Sequence, residues 1–330
     1  MVTINDIARR AGVSRTTVSR FINESGYVSE KARENISRVI EATGYVPSEQ
    51  AKSLRLKRTK VIGVVIPKIS TETMSRVVNG MDEVLQQEGY QILLASSSLD
   101  KEKEIEQLKL LESRRVDGII LVATNREPEL LEAVKNLSVP VVAVGQHLPD
   151  ISSVVYNDYE AAKSLTKEIL RAGHTKIGFI GVDEADYSVG VLRKKGFLDA
   201  LKENGCSVES GWMQTASFSI SAGEEAAARL LDQSKTLPTA VLAVTDRLAV
   251  GVMQTLRKEG FDLPGEMAVA GMGASDMSAY VTPALTTVDY YYEEAGKVSA
   301  GILLKAITGR AKKVEKSQMD YRLLKRDSLR

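Results

Sequence analysis

The chain is poor in the residues on which several functional classes depend. Of its 330 residues, one is cysteine and two are histidine. The single Cys206 excludes an intramolecular disulfide framework, and two histidines with one cysteine leave no metal-ligand spacing of the zinc type. No apolar run approaches the length of a membrane span, and the opening Met1-Val-Thr-Ile-Asn-Asp6 lacks the apolar stretch of a secretory signal. A soluble protein of two or three domains, resident in a reducing cytoplasm and without membrane contact, is expected. There is no phosphate-cradling glycine loop and no nucleophile elbow, so the residues indicate no enzyme class and call for no metal or other cofactor.

What is present is unevenly distributed. Residues 1–60 hold 12 Lys and Arg against 6 Asp and Glu, a net of +6, whereas the whole chain carries only +1; the remaining 270 residues therefore carry about −5. Phosphate contacts dominate affinity for nucleic acid, and a basic head on an acidic body is the charge pattern of a nucleic-acid-binding module.

The head reads as short amphipathic helices. Asn5 is the expected cap of a first helix with Ile4, Ile7, Ala8 and Ala11 on one stripe, and Gly12 stops it. Ser14 caps a second helix that turns Val18 and Ile22 inward and leaves Arg15, Thr16, Thr17, Ser19 and Arg20 outward. A third helix over 29–44 has Ser29 as cap, Ala32, Ile36, Val39 and Ile40 inward and Gly44 as stop. Three such helices close one small core and present a helix-turn-helix, the arrangement that sets side chains into a DNA groove. The next segment, Ser48 to Arg55, has too few apolar residues to order alone and runs into basic residues through Lys60.

From residue 61 the pattern alternates. Strands are expected at 61–67, 91–95, 118–122 and 140–145, with helices at 74–88, 102–115 and 127–137 between them. After a further strand at 153–157, a helix ending at 172 leads to strand 176–181, helices 187–203 and 222–232, strand 240–244, helix 247–259 and strand 267–272. These are two doubly wound parallel α/β lobes in succession. The loops beyond their strand ends converge on a cleft between them, which can hinge on a ligand.

With these elements in place the chain resembles the LacI/GalR family of bacterial transcriptional regulators over essentially its full length. The resemblance rests on Thr3-Ile-Asn-Asp-Ile-Ala, Ala11-Gly-Val-Ser and Thr17-Val-Ser-Arg-Phe-Ile-Asn23 in the head, and on Gly44-Tyr-Val-Pro, Ala51 and Ser53-Leu54 in the hinge. In the core it rests on Gly173-His-Thr-Lys-Ile-Gly178, Arg193-Lys-Lys-Gly-Phe197, Thr245-Asp246 and Thr282-Pro-Ala-Leu-Thr-Thr-Val288. Gly181-Val-Asp, Val269-Ala-Gly-Met-Gly273 and Thr287-Val-Asp-Tyr-Tyr-Tyr-Glu-Glu-Ala-Gly296 are most similar to regulators of sucrose and trehalose use.

The resemblance implies a helix-turn-helix head over 1–46 and a hinge helix and linker over 47–60. It implies two lobes like those of periplasmic binding proteins, 61–158 with 291–318 and 159–290 with 319–330. It places base reading on Arg15, Thr16 and Arg20, arginine being the side chain whose fork pairs with guanine O6 and N7. Thr3, Ser14, Thr17, Ser19 and Asn23 are implied to hold phosphates or caps. Ala51 and Leu54 belong to a hinge helix that meets the minor groove, where the leucine wedges a base step open. The effector cleft is implied to draw on Thr71, Thr73 and Ser75 from the first lobe, Arg193, Phe218, Thr245 and Asp246 from the second, and Asp289 and Tyr290 at the crossover.

The expected partners are operator DNA, a second copy of the chain and a small effector, a sugar or sugar phosphate. The expected role is repression of a sugar-utilisation operon, relieved when the effector binds; the alternative is a regulator or activator answering to a protein partner. Two positions depart from the family pattern. Gly271-Met272-Gly273 stands where many relatives carry Gly-Tyr-Asp, and Tyr156 replaces a frequent aspartate before Asn157. Both histidines, His147 and His174, read as structural.

The hinge reading predicts that Leu54→Ala weakens operator binding and operator bending together. Gel mobility of circularly permuted operator fragments checks it, and unaltered bending would rule out the wedge.

Overall fold

Thr3, and not Asn5, starts the first helix. In the computed structural model, which describes residues 2–45, 58–311 and 313–329, α1 spans Ile4–Ala11. The Thr3 hydroxyl accepts from Asp6 N at 3.3 Å while Asp6 accepts from Thr3 N at 3.0 Å. This reciprocal box satisfies two otherwise orphaned backbone donors, which a cap at Asn5 would not do. Gly12 then adopts φ +67°, a left-handed conformation that a side chain resists, and the chain turns into α2. Ser14 caps α2, Arg15–Ile22, by accepting from Thr17 N at 3.1 Å. A third helix, α3, spans Glu30–Thr43; Ser29 occupies its cap position without a side-chain hydrogen bond. Ile7, Ala8, Ala11, Val18, Val28 and Ile36 form the head's core, with Ile4, Ile22, Ala32, Val39 and Ile40 partly buried against it.

The chain divides into two compact units, residues 1–60 and 61–330. The hinge residues singled out above, Ala51 and Leu54, lie outside the described residues.

In the second unit the strands at 61–66, 91–96, 118–122, 141–144, 152–156, 177–181, 240–243 and 268–270 fall where the apolar runs place them, whereas those at 213–215, 287–289, 316–319 and 322–324 are not among the expected strands. The first lobe contains β1 (Val61–Ile66), α4 (Glu72–Gln87), β2 (Gln91–Ser96), α5 (Lys101–Ser113), β3 (Gly118–Val122), α6 (Pro128–Lys135), β4 (Val141–Val144) and β5 (Ser152–Tyr156). The chain crosses into the second lobe with α7 (Asp158–Arg171), β6 (Ile177–Gly181), α8 (Arg193–Glu203), β7 (Met213–Thr215), α9 (Ile220–Gln233), β8 (Ala240–Ala243), α10 (Asp246–Lys258), β9 (Ala268–Ala270) and the short α11 (Asp276–Tyr280). After β10 (Thr287–Asp289), α12 (Tyr292–Ile307) and β11 (Lys316–Met319) return to the first lobe, and β12 (Arg322–Leu324) pairs antiparallel with β10. The six-stranded sheet has the order β11-β5-β4-β3-β1-β2 and the four-stranded sheet β7-β6-β8-β9, all pairs parallel. Strands buried on both faces, such as Gly118–Val122, explain the unbroken apolar runs.

The expected continuous helix over 187–203 is broken. Residues Tyr187–Leu192 wind as a π-helical turn before α8 begins. Within it, Gly190 sits so close to the Asp183 backbone that a Cβ would lie 2.3 Å from its carbonyl oxygen. Such turns often mark functional sites. The short strand β7 escaped the alternation because Met213-Gln-Thr215 has neither length nor a β-branched run.

Two helices of the first lobe touch backbone to backbone. A methyl group on Gly80 of α4 would lie 1.9 Å from the Glu293 carbonyl oxygen, and one on Gly296 of α12 would lie 2.1 Å from that of Val77. Gly80→Ala is therefore expected to destabilise the protein by about 1–3 kcal/mol through overpacking. Thermal denaturation of the full chain reads this as a drop of several degrees in Tm, and an unchanged Tm would refute the close packing.

Candidate DNA-reading head and effector cleft

The exposed face of α2 carries Arg15, Thr16 and Arg20, none of which has a side-chain partner among the described residues. The neighbouring polar residues are occupied. Ser14 and Thr17 share a hydroxyl contact of 2.8 Å, and the Asn23 amide donates to the Ser19 carbonyl at 2.5 Å and approaches its hydroxyl at 3.3 Å. Thr3 is engaged by its capping box. These residues shape the helix ends, while the two arginines and Thr16 are left free for an external partner. Arg20's aliphatic stem runs past Gly26, where a Cβ would lie 3.6 Å from Arg20 Cδ.

The cleft of the second unit lies beyond the carboxyl ends of both main sheets and encloses about 1150 Å³, including its open mouth. Six of the nine cleft residues named from sequence line it: Thr71, Thr73, Arg193, Phe218, Thr245 and Asp246. Three do not. Ser75 is exposed on α4 with its hydroxyl turned back to the Thr71 carbonyl at 3.3 Å. Asp289 is buried beneath the wall and paired with Arg76 at 3.4 Å and Arg322 at 3.0 Å. Tyr290 is fully buried behind Arg193, whose guanidinium carbon stands 4.7 Å from its ring centre.

Arg193 is not a solvated charge. It is 4% exposed; Nε donates to Asp158 Oδ1 at 2.7 Å and Nη1 to the Val244 carbonyl at 2.5 Å. Burial pushes the Asp158 carboxyl above its ordinary value, and the adjacent guanidinium opposes the shift. Behind the pair, Tyr156, Tyr290 and Tyr292 pack edge on or tilted with centroids 5.1–5.7 Å apart. The Tyr156 hydroxyl, on the cleft wall, has no hydrogen-bond partner among the described residues.

Thr245 caps α10, accepting from Leu248 N at 3.3 Å. Asp246 is a linchpin of the wall, with Oδ1 accepting from the Thr287 hydroxyl at 2.5 Å and Oδ2 from Ser275 N at 2.6 Å and its hydroxyl at 2.9 Å. Gly271, the one residue of 271–273 shared with the Gly-Tyr-Asp pattern, leaves room for this carboxylate: a Cβ there would lie 2.7 Å from Asp246 Oδ1.

Polar bridges clasp the two lobes on either side of the cleft. Arg76 Nη1 donates to the Ala274 carbonyl at 3.1 Å, and Glu72 accepts from Asp276 N at 2.7 Å. On the other side Gln146 donates to Asp186 at 2.8 Å, and the Ser188 hydroxyl donates to the Gly145 carbonyl at 2.7 Å. The sequence reading missed Asp158, Asp186 and Gln146 because they stand in polar stretches with no motif of their own. Glu104 was missed as well, although it shares the inward stripe of α5 with Leu108 and Leu111. It is buried, accepts from Asn125 Nδ2 at 2.6 Å and Thr124 N at 3.4 Å, and so holds the loop after β3 that lines the cleft.

A helix-turn-helix head on a two-lobed α/β core with a cleft defines a ligand-responsive DNA-binding regulator. Comparison with known proteins agrees. Residues 3–48 match the family described as bacterial regulatory proteins, lacI family, and residues 166–329 match the periplasmic binding protein-like domain. The sucrose operon repressor of Staphylococcus xylosus is 32% identical over 301 residues, 91% of this chain and 92% of that protein. Among solved structures, a complex of the transcriptional regulator CelR with cellobiose is 27% identical at a TM-score of 0.76, covering 99% of this chain and all of that one. The lac repressor dimer bound to operator and the anti-inducer ONPF superposes at a TM-score of 0.89 with 24% identity, covering 99% of each chain, a likeness of fold. The chain belongs to the lacI family of bacterial regulatory proteins; it is a DNA-binding transcriptional repressor, not an enzyme.

Burial raises the Glu104 carboxyl from an ordinary 4.5 to about 7, against the opposing hydrogen bonds from Thr124 and Asn125. The folded state thus holds this proton more tightly than the unfolded chain. The associated stability is complete below pH 4.5 and is lost as pH rises through 7, amounting to about 3 kcal/mol. Asp158, Asp186 and Asp246 are raised by burial too and act with the same sign. Glu104→Gln should therefore flatten the fall in stability between pH 5 and 8, leaving the aspartates' residual slope. Urea unfolding across that range measures it, and an unchanged slope would refute the assignment.

Proposed function

We propose that the protein is a homodimeric repressor of a sugar-utilisation operon. It holds a pseudo-palindromic operator through α2 and releases it when a sugar or sugar phosphate occupies the cleft. The observation that carries this reading is the make-up of the cleft wall. Flat apolar surfaces of Phe218, Tyr156 and Tyr292 stand beside polar groups whose hydrogen-bonding capacity is unmet, the Tyr156 hydroxyl and Arg247 Nε. A sugar offers C–H faces to the first and hydroxyls to the second. The resemblance to a regulator solved with cellobiose and to a sucrose operon repressor supports the same class of ligand.

At the DNA end, Arg15, Thr16 and Arg20 read base edges, and Thr3, Ser14, Thr17, Ser19 and Asn23 set the head on the backbone. One head makes too few contacts for high specificity, so a second copy supplies the other half-site. Ala51 and Leu54 of each copy enter the minor groove between the half-sites. In the cleft, Arg193 with Asp158, Thr71, Thr73 and Phe218 face the effector. Thr245, Asp246, Asp289 and Tyr290 fix the wall that they stand on.

Selection of binding sites from random DNA is expected to yield a two-fold symmetric consensus, and Arg20→Ala to lower its preference over random DNA by about 10- to 100-fold. Because its hydroxyl is unpartnered, Tyr156→Phe should leave Tm unchanged yet weaken the effector. Calorimetry with sucrose, trehalose, fructose and their phosphate esters, followed by operator release, tests the ligand; no heat and no release with any of them would overturn the sugar reading.

A further inference from the structure

The wall of the cleft carries four carboxylates, and every one is committed to donors within the protein. Asp158 accepts from Arg193, and Asp246 from Thr287 and Ser275. Asp186 accepts from Gln146 and from Val189 N at 3.0 Å, and Glu72 from Asp276 N. Three cations line the same cleft, and only Arg193 is similarly committed. Lys68, in the loop after β1, and Arg247, in the first turn of α10, have no carboxylate, carbonyl or aromatic partner among the described residues. Arg247 Nε is moreover shielded from solvent with no acceptor.

Formal charges around the cleft nearly cancel, and its buried lining atoms without a partner among the described residues include Asp158 Oδ2 and the Tyr156 hydroxyl as well as Arg247 Nε, but the charged side chains left unpaired are cations. They come from both lobes, Lys68 from the first and Arg247 from the second. A buried guanidinium donor without an acceptor is costly, and a ligand oxygen relieves that cost. A hydroxyl or ether oxygen can accept one such bond. A phosphate ester offers three strongly accepting oxygens and matches the guanidinium fork, with an ammonium as second counter-charge.

Resting on the reading of the cleft as an effector site, we propose that the effector is the phosphate ester of a sugar, its phosphate held between Lys68 of the first lobe and Arg247 of the second. The anion then ties the lobes together, while the sugar ring lies against Phe218 and Tyr292. Lys68 and Arg247 are the residues that separate a phosphorylated sugar from its neutral parent.

The test titrates the full-length protein with four pairs: glucose, fructose, sucrose and trehalose, each against its 6-phosphate. The expected result is that the ester of at least one pair binds about 10- to 100-fold more tightly than its parent. Lys68→Gln and Arg247→Gln should each remove most of that difference without changing Tm, and added salt should weaken the ester alone. A neutral sugar that binds as tightly as its ester, with both variants unaffected, overturns the proposal and leaves the sugar reading standing. If no sugar and no ester binds, the sugar reading fails, and inorganic phosphate decides the anion site. A rise in Tm with phosphate that the double variant loses supports the site; no rise overturns it.

Discussion

The Asp158–Arg193 pair is the interaction on which the effector cleft depends. It joins the first residue of α7 to the first residue of α8, and its second arm reaches the Val244 carbonyl at the end of β8. Both partners are withdrawn from water, so neither tolerates the loss of the other; breaking such a pair leaves a buried charge uncompensated at about 3–5 kcal/mol. Tyr290 completes the arrangement by presenting its ring face to the guanidinium, with Tyr156 and Tyr292 packed against that ring. Because the arginine's charge is spent internally, the unpaired cations of the cleft wall among the described residues are Lys68 and Arg247.

Around this fixed centre the lobes are held by bridges of a different kind. Arg76, Glu72, Gln146 and Ser188 make hydrogen bonds from one lobe to carbonyls, amides or a carboxylate of the other, Arg76 and Ser188 more than one each. Each contributes about 1 kcal/mol in net terms, comparable with what water would offer in exchange. The contrast sets a hierarchy. The buried pair and the apolar sheets resist change, while the rim contacts can be traded for ligand contacts at small net cost. A molecule entering the cleft needs little differential affinity to shift such a balance.

Much of this architecture was legible in the chain. Fully buried parallel strands reveal themselves as unbroken runs such as Gly118-Ile-Ile-Leu-Val122, and the three-helix head reveals itself by periodicity and caps. The cap of the first helix was placed two residues late, at Asn5 instead of Thr3, because both are suited by type and only the reciprocal bond with Asp6 decides between them. Within the cleft, motif matching found the side chains that line it from helix starts, Arg193 and Asp246 among them. It placed Asp289 and Tyr290 at the ligand, whereas both stand one layer behind the wall, since a linear motif does not say which side of a strand faces the cavity. Asp158 and Glu104 were invisible for another reason: a carboxylate reads as solvated until the fold withdraws it from water.

The glycine at 273 has a consequence for the shape of the cleft wall. It sits at φ +137°, a conformation that side chains rarely adopt, and Asp246 Oδ2 would lie 3.6 Å from a Cβ placed there. Asp246 therefore keeps its bonds to Ser275 and Thr287 with no side chain from 273 competing for its carboxylate. At this point the cleft is bounded by main chain, and its width there is fixed by the backbone, not by the choice of a rotamer.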